Sequence, residues 1–415
     1  MKLRAVAVLF LVSFPSMAAC GAAPRAEGTT AEADSTAPPP PEGALEAAEP
    51  HGHGHADHRF CGWLHEFPAD PKMTDLGYDT FARHARTFDA VHPKWWRMDS
   101  TTTFANHPAD RATPFGGFHD RRVLAHTTYS GKRTKLVPLV AASVKPDYLY
   151  AHTMINDPAV RREHVKNLVA LAVSNRYDGL DIDYEHFSRG IGPGQTRDTE
   201  REAFSTFIRE LSAAMHAAGK IVSLAVPVEA GEPHPIFDYD ALSAAADQVH
   251  VMTYDFHYEA GEHPGPVSPL GWVHEAVAYI GNVAGGQRNG KFILGLPNYG
   301  LYGPEQPPDN FQTIACEPLI RCQAMLSGSY STTTDHMSHC TMASKPFEPG
   351  RAPNLYLANG DHLFFDDLES LEEKVREAKQ GKLGGITYWS IGGEPDRPGC
   401  RSFFEMVRSY FPQRR

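Results

Sequence analysis

Several features that mark common protein classes are scarce in this sequence. Lysine and arginine number 39 against 50 aspartate and glutamate residues, so the 415-residue chain has a formal net charge of −11. No basic run alternates with aromatic residues, and nucleic acid is therefore not an expected partner. No segment beyond residue 20 is apolar for long enough to cross a bilayer. No metal site is recognised within the folded part of the chain.

Residues 1–20 have the pattern of a secretory signal peptide. A basic start leads into the apolar run 5–14, and small residues precede Cys20. Residues 17–21 (MAACG) are similar to a bacterial lipobox, which would leave Cys20 lipidated. Ordinary cleavage near Ala18 is the alternative, because a methionine stands where leucine is usual. We expect export to the bacterial cell envelope of a monomer whose membrane contact is a lipid anchor.

Residues 21–58 are rich in alanine, proline and glutamate and contain almost no large apolar side chains. This composition predicts a disordered tether that precedes the folded domain 59–415. The tether ends in the histidine-rich tract 51–58 (HGHGHADH), which suggests either metal capture or a solvated flexible run. We favour the flexible run, since a histidine-rich composition fixes no coordination geometry.

Cysteine is also scarce, with six residues in the whole chain. The five that follow the lipidation site are Cys61, Cys316, Cys322, Cys340 and Cys400. Export permits disulfides, but an odd number leaves at least one thiol unpaired or bonded to another molecule. Three of the five lie within 316–340, so a bridge is expected there, and the pairing stays open.

A row of acidic residues dominates the middle of the chain. In the stretch 177–187 (YDGLDIDYEHF), Asp181, Asp183 and Glu185 alternate with apolar or aromatic residues. Side chains alternate between the two faces of a β-strand, so the three carboxylates are expected on one face, with Asp178 one step out of register. Like charges this close are tolerated when they share protons, bind a metal or perform acid–base chemistry. A solvated acidic edge strand is the alternative.

Strand-like and helical patterns alternate eight times within 59–415, which predicts an α/β fold, a (β/α)8 TIM barrel. The predicted strands are 59–65, 88–96, 135–142, the acidic strand, 220–228, 248–255, 291–299 and 383–391. The predicted helices are 157–175, 199–219, 272–283 and 368–380. The second of these helices is expected to begin with a capping box formed by Thr199 and Glu202.

About 80 residues separate the seventh and eighth strands, too many for a loop without structure of its own. Within them, 354–358 and 361–366 flank Asn359 and Gly360, a pair typical of a type I′ hairpin turn. We therefore expect 301–366 to form a small α+β insertion along one side of the cleft.

The unusual residues of the predicted barrel fall at the carboxyl ends of its strands, where such barrels carry their active sites. They are Glu185 after the fourth strand, Met252, Tyr254 and Asp255 at the sixth, Tyr299 at the seventh and Trp389 at the eighth. Carboxylates beside aromatic rings suit a sugar, because apolar sugar faces stack on the rings while hydroxyl groups form hydrogen bonds. Taken singly, each aromatic residue is better explained by packing, and only the shared position favours a binding site.

Residues 178–185 (DGLDIDYE) resemble the DGxDxDxE signature of family 18 glycoside hydrolases, the chitinase-like barrels, at every fixed position. The motif MTYD at 252–255, the run 291–300 and Trp389 are similar to that family as well. Three further segments resemble the bacterial branch that contains spore-cortex and peptidoglycan-directed N-acetylglucosaminidases: 254–258, 264–269 and 365–374.

The resemblance implies retaining, substrate-assisted cleavage of β-1,4 bonds next to N-acetylglucosamine, without a cofactor. The substrate's acetamido oxygen would attack the anomeric carbon and form an oxazolinium intermediate. Glu185 would act as general acid and base, kept protonated by its acidic neighbours. Asp183 would accept a hydrogen bond from the acetamido N–H, and Asp181 would share a proton with Asp183.

The same resemblance implies a set of substrate-binding residues: Tyr254, Asp255, Met252, Trp389 and Tyr299. Tyr254, with Asp255, would orient the acetamido carbonyl for its attack. Trp389 would form the floor below the sugar at the cleavage site. The expected partner is a polysaccharide that contains N-acetylglucosamine: chitin oligomers, peptidoglycan or N-glycan cores.

A catalytically weak, lectin-like barrel of the cell envelope is the alternative function, since this fold includes inactive relatives. Such relatives commonly lack the acidic glutamate, which is present here as Glu185. No chitin-binding module is recognised, so attack on crystalline chitin is not expected. His186 and His257 flank the motifs and are interpreted as hydrogen-bonded structural histidines rather than proton carriers.

Overall fold

The barrel and its helices account for most of the residues that the computed structural model describes. These residues are 59–64, 71–106, 123–124, 127, 134–142, 147–185, 194–258, 265–304, 312–315, 341–342, 354–356, 361–366, 368–392 and 402–412. All of them lie within one unit of the chain, 54–415. The predicted signal peptide, the tether and the cysteines other than Cys61 lie outside the described residues.

Eight parallel strands close into a ring, which confirms the predicted (β/α)8 barrel. In their order around the ring the strands are β1 (Arg59–Leu64), β15 (Gly385–Trp389), β9 (Phe292–Pro297), β8 (Gln248–Met252), β7 (Ile221–Pro227), β6 (Gly179–Asp183), β5 (Leu139–Ala141) and β2 (Ala90–Met98). Pairing of β1 with β2 closes the ring. Two short strands, β3 (Phe104–Asn106) and β4 (Lys135–Leu136), also pair with β2.

Helices follow the strands along the chain, as the alternating pattern predicts. They are α1 (Pro71–His84), α2 (Asp147–Asn156), α3 (Pro158–Ser174), α4 (Arg197–Ala217), α5 (Tyr239–Ala245), α6 (Leu270–Val283), α7 (Leu368–Gln380) and α8 (Phe403–Tyr410), with 3-10 turns at Ala85–Thr87 and Asn289–Lys291. Among these described helices, none combines the length and the apolar character needed to span a membrane.

The start of α4 differs from the prediction. The capping box is formed by Thr196 and Thr199, so the helix begins earlier than expected. The carboxylate of Glu202 instead accepts a hydrogen bond of 2.7 Å from Arg209 on the exposed side of the helix. Threonine at the third helical position can accept a hydrogen bond from the backbone N–H of the cap residue, as glutamate does. The sequence was therefore compatible with two capping boxes, one that begins at Thr196 and one that begins at Thr199.

The apolar face of β6 packs against the helical layer. Leu180, Ile182 and Tyr184 are each at most 1% exposed and belong to the main hydrophobic core. The ring of Tyr184 stacks on Phe207 of α4, with centroids 5.9 Å apart. Since this face is fully covered by apolar side chains, the alternating acids of β6 face the barrel interior.

The predicted third strand is divided in two. Residues Lys135–Leu136 pair with β2, and pairing with β2 resumes only at Leu139. Pro138 lies in the gap, and proline has no N–H to donate to a neighbouring strand. On its other side, Leu136 donates its backbone N–H to the side chain of Asp178, the residue just before β6.

The chain segment between the seventh and eighth barrel strands, β9 and β15, forms a second, antiparallel sheet. Its order is β11 (Gln312–Ala315), β10 (Tyr299–Pro304), β14 (Asp361–Phe364), β13 (Asn354–Tyr356) and β12 (Thr341–Met342). The β13–β14 pairing confirms the predicted hairpin strands, whose turn lies outside the described residues. Within 301–366 the described residues form strands except Phe365 and Asp366, and the sheet begins at Tyr299, a residue that the sequence pattern assigned to the barrel.

Candidate active site

The acidic row runs up the inside of the barrel along β6 and past its end. Asp181 is 0% and Asp183 is 4% exposed, while Glu185 lies half-buried beyond the strand end. Because β6 is paired on both sides, with β5 and with β7, it is not an edge strand. The alternative of a solvated acidic edge is therefore wrong.

Two residues of the acidic motif have structural roles in the packing of neighbouring strands. Asp178 accepts a hydrogen bond of 2.9 Å from the N–H of Leu136, so it ties β6 to β4 and does not join the other acids. A Cβ atom on Gly179 would lie 2.2 Å from the carbonyl oxygen of Ile221. The close approach of β6 to β7 thus requires glycine at this position.

Asp181 is the most deeply buried of the three acids, and side chains from two other strands contact it. The indole N–H of Trp63 donates to its Oδ2 at 2.8 Å, and Nδ1 of His92 lies 3.3 Å from the same oxygen. Burial acts to raise the pKa of Asp181, but the His92 and His250 rings and the Trp63 N–H outweigh it, and the pKa falls to about 2. Asp181 is therefore a fixed anion below the other two acids.

Asp183 and Glu185 form a hydrogen-bonded pair. Burial, followed by the nearby Glu185 carboxylate, raises the pKa of Asp183 well above its usual range, while Lys94 acts in the opposite direction. The sequence pattern predicted that crowding keeps a proton on Glu185. The hydrogen bond connects the Asp183 carboxyl group to Glu185, and the protonation of Glu185 stays a prediction.

Aromatic rings surround the acids at the barrel mouth. Trp63, Met252, Tyr254 and Trp389 lie in one apolar cluster. The Trp63 ring is 6.2 Å from that of Tyr254 and 6.1 Å from that of Trp389, measured between centroids. Burial and the charges of Glu185 and Asp255 raise the pKa of Tyr254 well above its usual range. Its hydroxyl group consequently remains a hydrogen-bond donor at all ordinary pH values.

Tyr299 and Asp255 extend this wall towards the insertion sheet. The Tyr299 hydroxyl donates a hydrogen bond to Oδ1 of Asp255, and its ring lies edge-on to Tyr254 at 6.1 Å. Asp255 has a positive φ of 61°, a region that aspartate tolerates better than most residues. Its conformation turns the chain at the end of β8 and leaves the carboxylate exposed to the cleft.

Two contributors, on β1 and β2, lie outside every motif that the sequence analysis identified, and a third lies within the run 291–300 without having been singled out. Trp63 is on β1, Lys94 is on β2 with its Nζ 5.1 Å from the centroid of the Trp389 ring, and Asn298 follows β9. Nothing in the sequence indicated that Trp63 and Lys94 meet the acids. Closure of the barrel brings them there.

Asn298 holds the chain beyond Trp389. Its side-chain amide donates to the carbonyl oxygens of Ser390 and Gly392, at 2.8 and 2.9 Å, and its backbone N–H donates to the Trp389 carbonyl at 2.7 Å. The peptide bond between Trp389 and Ser390 is cis. Asn298 thereby fixes the segment on which the predicted sugar floor is mounted.

The two flanking histidines differ in what can be described. His257 makes a hydrogen bond of 2.9 Å between its Nδ1 and the carbonyl oxygen of Pro266, and it packs against Phe256. These contacts give it a structural role in the loop after β8. His186 lies outside the described residues.

Comparison with known proteins places this site in a family. The family model described as glycosyl hydrolases family 18 matches residues 130–394. The cortical fragment-lytic enzyme of Bacillus subtilis (strain 168) is 24% identical over 254 residues, 58% of this chain and 52% of that protein. Chitotriosidase-1 of Mus musculus is 26% identical over 268 residues, 57% of this chain and 54% of that protein. The chain thus spans about half the length of these relatives.

Solved structures support the same fold. The Group IV chitinase of Ostrinia furnacalis, in complex with allosamidin, aligns with a TM-score of 0.68 at 18% identity, over 85% of this chain and 98% of that one. At this level of identity the likeness concerns the fold, and the chemistry must be argued from the residues of the site itself.

Proposed function

Because the chain belongs to glycosyl hydrolases family 18, we propose that it cleaves β-1,4 bonds next to N-acetylglucosamine by a retaining, substrate-assisted mechanism. Membership of the family makes it a glycosidase, and the proposal concerns the bond and the mechanism. The observation that carries it is the hydrogen bond between Asp183 and Glu185. That bond supplies a mobile proton at the mouth of the barrel, between aromatic walls that suit a sugar.

In the first step the glycosidic oxygen leaves and the acetamido group closes a ring. The proton that Asp183 and Glu185 share moves onto Glu185, which gives it to the leaving oxygen as the bond from that oxygen to the anomeric carbon breaks. The acetamido oxygen forms a new bond to the same carbon, and the positive charge spreads over an oxazolinium ring. Asp183 accepts a hydrogen bond from the acetamido N–H, and the anionic Asp181 below it offsets the developing charge.

In the second step water opens the oxazolinium ring. The Glu185 carboxylate, now without its proton, takes one from the attacking water, while the water oxygen bonds to the anomeric carbon. Two successive displacements at one carbon return the original configuration. Tyr254, whose hydroxyl stays protonated, donates a hydrogen bond to the acetamido oxygen and orients it for attack.

The test compares Glu185→Gln with wild type on two substrates, chitin oligosaccharides and purified peptidoglycan. Glutamine keeps the shape of the side chain but cannot donate the proton, so turnover should fall by at least a hundredfold while ligand binding persists. Glu202→Gln is the matched control, because Glu202 is exposed and pairs with Arg209 away from the site. Unchanged turnover in Glu185→Gln would overturn the proposal. Products from one substrate alone would identify the source of the sugar.

We further propose that the protein is exported and held at the membrane through a lipid on Cys20. The support is the signal-peptide pattern followed by MAACG in the first 21 residues. Metabolic labelling with a fatty-acid analogue should mark the wild type and fail to mark Cys20→Ala. Labelling of neither protein, with cleavage near Ala18, would favour ordinary secretion.

A further inference from the structure

A second cluster of reactive side chains lies one layer below the acidic row. Cys61, His92 and His250 each precede a residue of the barrel mouth by two positions, on β1, β2 and β8 respectively. Residues two apart on a strand share a face, so all three side chains enter the barrel interior below that mouth. Each residue is 0% exposed.

The three side chains converge on one point. One ligand atom from each, the Cys61 sulfur and a ring nitrogen of either histidine, lies within 4.8 Å of the other two. The rings of His92 and His250 are 4.7 Å apart and steeply inclined, so they present edges rather than stacked faces. Cys61 is a free cysteine.

Three of the four ring nitrogens of the two histidines are buried without a hydrogen-bond partner. Nε2 of His250 lies 3.0 Å from Oε1 of Gln248, whereas its Nδ1 has no hydrogen-bond partner. Both ring nitrogens of His92 lack a hydrogen-bond partner, although Nδ1 lies 3.3 Å from Oδ2 of Asp181. Buried polar atoms without partners are rare and costly in proteins. A metal ion would give such nitrogens a partner, and a ligating histidine usually directs its other nitrogen to an acceptor, as His250 does to Gln248.

We propose that Cys61, His92 and His250 bind one Zn²⁺ ion in the interior of the barrel. A thiolate with two imidazole nitrogens suits this ion. Binding exchanges the thiol proton, which is released to solvent, for a zinc–sulfur bond. The thiolate and the adjacent Asp181 carboxylate then carry two negative charges, which the ion balances, so no net charge stays buried.

The ion would join three strands that are distant in sequence, and it would fix the His92 ring that faces Asp181. We assign it a structural role, because its three ligands are fully buried and lie two residues below the barrel-mouth positions of their strands. The inference is independent of the proposed substrate. The sequence patterns did not indicate this site, since its three ligands lie on separate strands with no short-range spacing.

The experiment measures metal in the full chain, with His51, His53, His55 and His58 replaced by asparagine so that the tract contributes none. Protein purified without a metal-affinity tag should contain about one zinc per chain. Cobalt substitution should give a thiolate-to-cobalt absorption band in the near ultraviolet, and Cys61→Ala should abolish it. His164→Asn, which changes another buried histidine, is the control that should retain the metal.

X-ray absorption at the zinc edge of this same protein needs no change to the cluster. It should report one sulfur at about 2.3 Å and nitrogen neighbours at about 2.0 Å. The proposal is overturned if zinc stays below about one tenth of an equivalent after reconstitution, or if the metal has no sulfur neighbour. A cobalt band that persists in Cys61→Ala would overturn it equally.

Discussion

The indole N–H of Trp63 donates a hydrogen bond of 2.8 Å to Oδ2 of Asp181, from the first strand of the barrel to the fourth. This bond holds the deepest acid as an anion beneath the two that share a proton. Asp181 is therefore a permanent negative charge at the bottom of the site. The exchangeable proton lies above it, between Asp183 and Glu185, at the level of the substrate.

Replacing Trp63 by phenylalanine should lower kcat roughly tenfold, because the buried Asp181 oxygen loses its donor while the apolar wall is largely kept. Steady-state kinetics on a chitin oligosaccharide measures the loss. Trp96→Phe is the matched control, since it removes an indole donor to Tyr177, at 3.2 Å, away from the acids. Equal losses in both variants would mean that the Trp63 bond has no special part in turnover.

Replacing Asn298 by alanine should raise KM several-fold with a smaller change in kcat. The variant frees the carbonyl groups of Ser390 and Gly392 and loosens the segment that carries Trp389. Asn289→Ala is a suitable comparison, because Asn289 donates to the Gly381 carbonyl at 2.9 Å outside the site. A KM unchanged by Asn298→Ala would contradict the positioning role.

Replacing Gly179 by alanine should destabilise the protein by several kcal/mol, since the new methyl group would meet the Ile221 carbonyl oxygen and force β6 and β7 apart. Thermal unfolding measures the effect. Gly281→Ala, within α6, would place its new methyl group in ordinary contact, 3.9 Å from Nδ2 of Asn289, and should raise stability by about 0.5–1 kcal/mol. If Gly179→Ala unfolds like wild type, the close approach of the strands does not require glycine.

Stability should fall as pH drops from about 6.5 to about 4, in part through His164. Burial, opposed by a hydrogen bond to the Thr101 carbonyl, lowers the pKa of His164 from 6.5 to about 4. Between those values the unfolded chain binds the extra proton, so the free energy of unfolding decreases with falling pH, by up to about 1.4 kcal/mol per pH unit.

Denaturant unfolding of His164→Gln across this range checks the prediction, because the variant should show a shallower slope than wild type. His274→Gln serves as control, since the side chain of His274 is 67% exposed. An identical slope in wild type and His164→Gln would show that His164 does not titrate in this window.

The barrel and the acidic strand were predictable because both depend on the spacing of apolar and polar residues that lie close together in the sequence. Alternation along 177–187 places Asp181, Asp183 and Glu185 on one face whatever the rest of the chain does. The β13–β14 hairpin was predictable for the same reason, from its turn residues and short strands. Features set by neighbours in sequence can be inferred from one chain alone.

The partners of the acids were not predictable, because they come from other strands. Trp63, His92 and Lys94 meet Asp181 and Asp183 only when the ring closes, and no short-range spacing records that contact. The position of the retained proton depends on burial depth, which alternation does not reveal. The raised pKa of Asp183, which follows first from its burial, was therefore not predicted from the sequence.

The most direct test of the central claim is the rate at which the purified protein cleaves two substrates that differ only in the acyl group of the cleavage-site sugar. One carries N-acetyl and the other N-trifluoroacetyl, whose oxygen is a much weaker nucleophile. If the substrate's own amide attacks the anomeric carbon, kcat should fall by at least tenfold for the fluorinated substrate. Equal kcat values for the two would contradict substrate assistance.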